Sequence, residues 1–245
     1  MIKALILAKY TLKDLFRDKA NLLWIFAVPV GLIVVQNLAA MEMAERAFRT
    51  AAIVLLFMLI FGCTGVGLTI LDMRKSGTFR RILIMPISRT GFFLGVALDM
   101  VSRLSIMVGL IFVMMLVYRI SIPGSWLDLL FVLLVALFFA VALGLIYVTF
   151  SNSVFAIIGL GIAPAIVLFQ LSDWHRGGAF AGTGLVEILA DHNPVYHLMG
   201  MLGGIIFEGA PLSQFHPELG ALFLWTAGLF LTAVALYHWR VEKML

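Results

Sequence analysis

The sequence predicts an all-α membrane protein with six transmembrane helices, and three observations carry that expectation. The first is composition. Of 245 residues, 63% are apolar and 12% charged, and mean hydropathy is +1.10. A soluble domain is about 45–50% apolar and about 25% charged. These figures exclude a soluble enzyme, a disordered chain and a nucleic-acid binder built on a basic face. The second is a series of charge-free windows, 20–41, 50–71, 129–172 and 219–239. A spanning helix needs about 20 apolar residues, so the longest window holds two spans, divided by the polar run Thr149–Ser153. The third is the distribution of lysine and arginine. With both termini in the cytoplasm, the inner segments carry 12 basic residues and the outer segments 4. The inverted topology violates the positive-inside rule.

The elements follow in order. Residues 1–20 place Ile2, Leu5, Ile6, Leu12, Leu15 and Phe16 among five basic residues. That is the pattern of an amphipathic helix lying on the inner membrane surface. Spans are expected at about 21–41, 51–71, 97–118, 129–149, 154–172 and 219–239. The third takes in Asp99 and Arg103, because its charge-free core, 104–118, is too short to cross alone. The window 192–207 holds His192, Asn193, Pro194 and Tyr196 in 16 residues. It is too short and too polar for a span, and a re-entrant or interfacial segment within the outer stretch 173–218 fits better. Ala136, Ala140 and Gly144 have the small-xxx-small spacing of close helix packing, as do Gly91 and Gly95. Pro164, beside Gly159 and Gly161, predicts a kink in the fifth span. Cys63 lies in an apolar run and reads as a packing residue.

The most informative loop is 72–89, DMRKSGTFRRILIMPISR, the most basic internal loop. Ser76 and Gly77 read as a break, with Thr78 placed to cap a following turn. Phe79, Ile82 and Leu83 then form an apolar stripe beside Arg80 and Arg81, and Pro86 ends the helix. A short rigid helix with an apolar stripe and a basic edge suits a groove on a soluble partner.

This loop resembles the cytoplasmic coupling helix of ABC (ATP-binding cassette) exporter permeases of the ABC-2 type. In that family it reads roughly R-E-x-G-T-L-E-x-L-L-x-x-P-x-S-R. Arg74, Gly77, Thr78, Leu83, Pro86, Ser88 and Arg89 match in place, and Phe79 and Ile82 are conservative replacements. Lys75 and Arg80 stand where the family has glutamates. The segment Asn193–Gly209 resembles the family's outer motif, with Pro194, Tyr196 and Gly209 fitting and Met201 near a common arginine. The resemblance runs through the chain in span order.

It implies one ABC-2-type transmembrane domain over 1–245, in the inner (plasma) membrane of a prokaryote. It implies a second permease copy, identical or similar, and a pair of separate ATPase subunits docked on the coupling helix (Arg74, Lys75, Gly77–Leu83, Pro86). ATP and Mg would be bound by those subunits. This chain has no G-x-x-x-x-G-K-[ST] loop and is expected to carry no cofactor and no catalysis of its own. Export would open a path between spans one, two and five, for an amphiphilic cargo such as a drug, lipid, glycolipid or peptide.

The other candidates are intramembrane polar groups. Asp99 and Arg103, at i,i+4, form the favourable order for an ion pair. Gln36 and Asn37 in the outer half of span one, with Pro194, Tyr196 and His197, are candidates for a pathway or gate. His175, His192, His197 and His216, with Asp173, Glu187 and Asp191, are the one constellation that could serve a membrane-embedded enzyme. Their spacing is irregular and no H-E-x-x-H occurs, so interfacial polar residues are the better reading. An ATP-independent channel is a further alternative.

Overall fold

The computed structural model describes residues 19–38, 42–78, 89–150, 153–174 and 192–242, with Gly184 and Ile188 as isolated helical positions. The expected surface helix over 1–18 lies outside the described residues. So do the coupling residues Phe79, Arg80, Arg81, Ile82, Leu83 and Pro86, and the side chain of Asn37.

The described chain is helical throughout, without a strand: α1 (Lys19–Asn37), α2 (Met43–Lys75), α3 (Arg89–Val117), α4 (Trp126–Phe150), α5 (Val154–Trp174), α6 (Pro194–Gly203) and α7 (His216–Glu242). A π turn (Gly204–Glu208) and a 3₁₀ turn (Leu212–Gln214) join α6 to α7. Five of these helices, α2, α3, α4, α5 and α7, are long and apolar enough to cross a membrane, so the protein is a multi-pass helical membrane protein. The described apolar stretch of α1 is shorter, Ala27–Gln36.

Several helices outrun the charge-free windows. α2 has 33 residues against an expected span of 51–71. At 1.5 Å per residue it is about 50 Å long, well beyond the hydrocarbon thickness of about 30 Å. Charges bound the part of a helix that lipid can cover, but they do not stop the helix. The Glu45–Arg49 pair at i,i+4 extends the first turns of α2. α3 likewise starts at Arg89 and encloses Asp99 and Arg103.

α2 and α4 are the centre of the bundle. Of their most apolar stretches, 56% and 67% are buried, against 17% for α5 and 11% for α7. α2 packs on α4, α5, α3 and α1; α4 also packs on α7 and α3. Small residues make this possible. A Cβ on Gly62 would lie 2.7 Å from the Ala140 Cβ, and one on Gly144 would lie 2.7 Å from the Gly62 carbonyl oxygen. Cys63 is buried in the same seam, its Sγ 3.6 Å from the Ala140 carbonyl oxygen. Lipid offers no hydrophobic drive between helices, so this close approach is what dispersion forces need to hold them together. On the other face of α2, Gly67 receives Ile157 and Gly161 receives Thr64. Gly161 is thus a packing surface between α5 and α2, and α5 continues through Pro164 as one helix.

α2 ends where the sequence places its break. Ser76 N–H bonds the Asp72 carbonyl, and Gly77 adopts φ +70°, a left-handed conformation that suits glycine. The Thr78 hydroxyl takes a 2.9 Å hydrogen bond from Ser76 Oγ. We call this the basic end of the bundle.

Candidate functional site

The opposite end of the bundle is closed by residues 193–215, which form a cap. Asn193 starts it. The Asn193 Oδ1 accepts from Val195 N–H at 2.9 Å, and Pro194 occupies the first turn, where a missing N–H costs nothing. Asn193 is only 3% exposed, and its amide Nδ2 donates to the Leu168 carbonyl of α5 at 2.6 Å. The far end is held by Asp128 of α4, whose Oδ2 accepts from Leu212 N–H at 3.1 Å. Between these tethers Val195, Leu198, Met201, Leu202, Ile205 and Ile206 are buried. The cap turns at Gly209 (φ +67°), which sits against Pro123. Gly124 lies so close to the Ile205 carbonyl that no Cβ would fit. α6 has ten residues, about 15 Å. It enters the bundle without crossing it.

Beside the cap is a cleft of about 630 Å³ between α1, α2, α5 and the cap. Its polar wall is Gln36, Glu42, Glu45 and Arg49. Its apolar wall includes Phe48, Phe57, Phe169 and Phe207. Phe48 and Phe207 have ring centroids 5.2 Å apart, which joins α2 to the cap at the rim. Arg49 spends both Nε (3.1 Å) and Nη2 (2.8 Å) on one oxygen of Glu45. The Glu42 carboxylate has no partner among the described residues. The Gln36 Oε1 is buried without a hydrogen bond. The cleft therefore offers acceptors and negative charge beside aromatic surface.

A second cleft, of about 430 Å³, opens between α3, α4 and α7. Its wall is apolar apart from Thr226, whose hydroxyl is bonded back to the Leu222 carbonyl. It holds no group that could orient a polar ligand.

The sequence candidates fall in different places. Gln36 lines the cap-end cleft. Pro194 begins α6, and Tyr196 and His197 follow it with ring centroids 5.8 Å apart, outside the cleft wall. Asp99 and Arg103 pair at 3.1 Å on α3, with side chains 2% and 20% exposed, away from both ends. Arg74, Lys75, Gly77 and Thr78 sit at the basic end. His192 Nδ1 lies 2.8 Å from the Ile188 carbonyl oxygen, and among the described residues no group of His, Cys, Asp or Glu could hold a metal ion.

Sequence reasoning missed Glu42, Glu45, Phe48, Arg49 and Phe207 as wall residues, and Asn193 and Asp128 as tethers. The i,i+4 order of Glu45 and Arg49 was a usable signal for a helix before span two. Nothing local reveals that Phe207 meets Phe48.

No protein-family model matches this chain, and no curated protein matches it.

Proposed function

We propose that this chain is the transmembrane subunit of an ATP-driven exporter of the ABC-2 permease type. The observation that carries the reading is α2. One uninterrupted helix joins the Gly77 break, where the coupling motif begins, to Glu45, Phe48 and Arg49 in the cap-end cleft. A push on the loop after Gly77 is transmitted along a stiff rod to the cleft wall. The cleft is walled by α1, α2 and α5, the three spans between which the family resemblance implies a path.

In this reading α1 also crosses the membrane, as span one, which brings the count to six, and the lysine and arginine distribution puts the basic end in the cytoplasm and the cap outside. Two permease copies form the membrane part, and two ATPase subunits dock on the loop 72–90. ATP and Mg reside on those subunits. Closure of the ATPase pair moves the coupling segment and α2, and the cap yields to let an amphiphile leave. Residues 193–215 shape the exit, and the Asp99–Arg103 pair keeps α3 tolerable inside the membrane.

The test is mutational. Phe79→Ala with Ile82→Ala, and separately Gly77→Val with Pro86→Ala, are expected to abolish copurification of an ATPase subunit and ATP-dependent transport. If both persist unchanged, the reading fails. Alanine at His192 and His197 tests the alternative of a membrane-embedded enzyme. Loss of a chemical activity in that variant, with no ATPase partner, is the outcome that favours a membrane enzyme.

A further inference from the structure

We propose that the cap-end cleft is a binding site for a cationic amphiphile, its positive group at Glu42 and its apolar body against the phenyl rings. The proposal deepens the exporter reading by naming a cargo class, and rests on that reading only for calling the ligand a cargo.

Three features of the cleft select this chemistry. The first is the charge left over after internal pairing. Glu45 and Arg49 pair through two hydrogen bonds to Glu45 Oε1, so among the described wall residues the Glu42 carboxylate is the unneutralised charge. Arg46, one turn further along α2, is not part of the wall. The second is hydrogen-bond polarity. The Gln36 Oε1 is buried without a donor. A buried acceptor without a partner costs about 1–3 kcal/mol, and a donating or positively charged group lodged beside it removes that cost. The third is the aromatic wall. Phe57, Phe169 and Phe207 come from α2, α5 and the cap. Benzene faces attract cations and accept apolar bodies equally well. Among the described wall residues an anion finds one guanidinium, Arg49, already paired with Glu45. A neutral apolar molecule gains nothing from Glu42 and is as well served by the cleft between α3, α4 and α7, whose one polar side chain is Thr226. The volume, about 630 Å³, lies within the usual range for small-molecule sites.

The experiment uses a pair of ions of nearly the same shape and opposite charge, tetraphenylphosphonium and tetraphenylborate. Binding of each to the purified full-length chain in a neutral maltoside detergent is measured by equilibrium dialysis, without ATPase subunit or nucleotide. Saturable binding of the phosphonium and none of the borate is expected. Glu42→Gln is expected to weaken phosphonium binding roughly tenfold, and Phe57→Ala or Phe169→Ala to weaken it by a similar factor. Glu218→Gln, on α7 and outside the cleft wall, is expected to leave it unchanged. Glu42→Gln alters an exposed side chain, so its thermal unfolding should match the parent.

Equal binding of the two ions, or undiminished phosphonium binding in Glu42→Gln, would overturn the proposal. So would efficient cross-linking of Glu42→Cys between two copies, which makes the cleft an interface. Because no ATPase is present, these results are independent of the copurification test. The exporter reading can survive a cleft that ignores the phosphonium, and a cleft that binds it can survive loss of the exporter reading.

Discussion

A Cβ placed on Gly144 would lie 2.8 Å from the Cα of Cys63 and 2.7 Å from the Gly62 carbonyl oxygen. The α4 helix presses on the backbone of α2 here, where no side chain can step aside. Gly144→Ala is therefore expected to destabilise the protein by about 1–3 kcal/mol, the range for overpacking a tight core. Gly220→Ala and Gly228→Ala in α7 meet nothing within 4 Å and are expected to be neutral or stabilising, since alanine is the better helix former. Thermal unfolding of the three variants in one detergent checks the contrast. Equal midpoints would refute the seam.

The Asn193 side chain ties the start of the cap to α5. Asn193→Ala removes the bond to the Leu168 carbonyl and the cap of α6, at a cost of roughly 1–3 kcal/mol. The expected consequence is local opening of the cap rather than global unfolding. A thiol at Ile205→Cys, buried in the parent, should react faster with a maleimide when Asn193→Ala is added. Asp128→Ala should act in the same direction through its lost bond to Leu212.

The Asp99–Arg103 pair is asymmetric in burial, with Asp99 nearly sealed and Arg103 able to reach outward. Arg103→Met leaves a buried carboxylate alone and is expected to cost more than Asp99→Asn, up to about 3 kcal/mol. Asp99→Asn with Arg103→Met should recover most of that loss, because no charge is then stranded. A double-mutant cycle on unfolding midpoints measures the difference.

Gly77 has φ +70°, a conformation costing other residues about 1–2 kcal/mol. Gly77→Val is expected to cause a small loss of stability and a large loss of ATPase copurification, because the loop leaves α2 in another direction. Gly31→Ala, at a helical position with nothing within 4 Å, should affect neither.

The parts of the fold legible in the sequence were those set by local chemistry. Charge-free windows located α4 and α5 within three residues at either end, because a helix wholly in lipid starts and stops near its flanking polar groups. They misplaced the start of α2, since Glu45, Arg46 and Arg49 end the lipid-covered stretch without ending the helix. The spacing of Ala140 and Gly144 announced a packing face but not that Gly62 would be its partner. Gly161 was read as part of a kink beside Pro164, and its spacing gave no sign that Thr64 rests on it.

The candidate site divides in the same way. Gln36 was visible as a lone polar group in an apolar run, and Gly77 as a break in a basic loop. Glu42, Phe57, Phe169 and Phe207 carry no shared motif, and they meet because α2, α5 and the cap converge.

The sequence by itself determined that the chain is a multi-pass helical membrane protein, because burying so much apolar side chain with so little charge has one physical solution. It also determined the break at Gly77, since that depends on the backbone preferences of a few adjacent residues. Only the tertiary structure decided which glycines touch which helices and how the cap is tethered. It alone decided that one carboxylate, one amide and a set of phenyl rings share a cleft. The cleft gathers residues as far apart in the chain as Gln36 and Phe207, and no local preference encodes a separation of that kind.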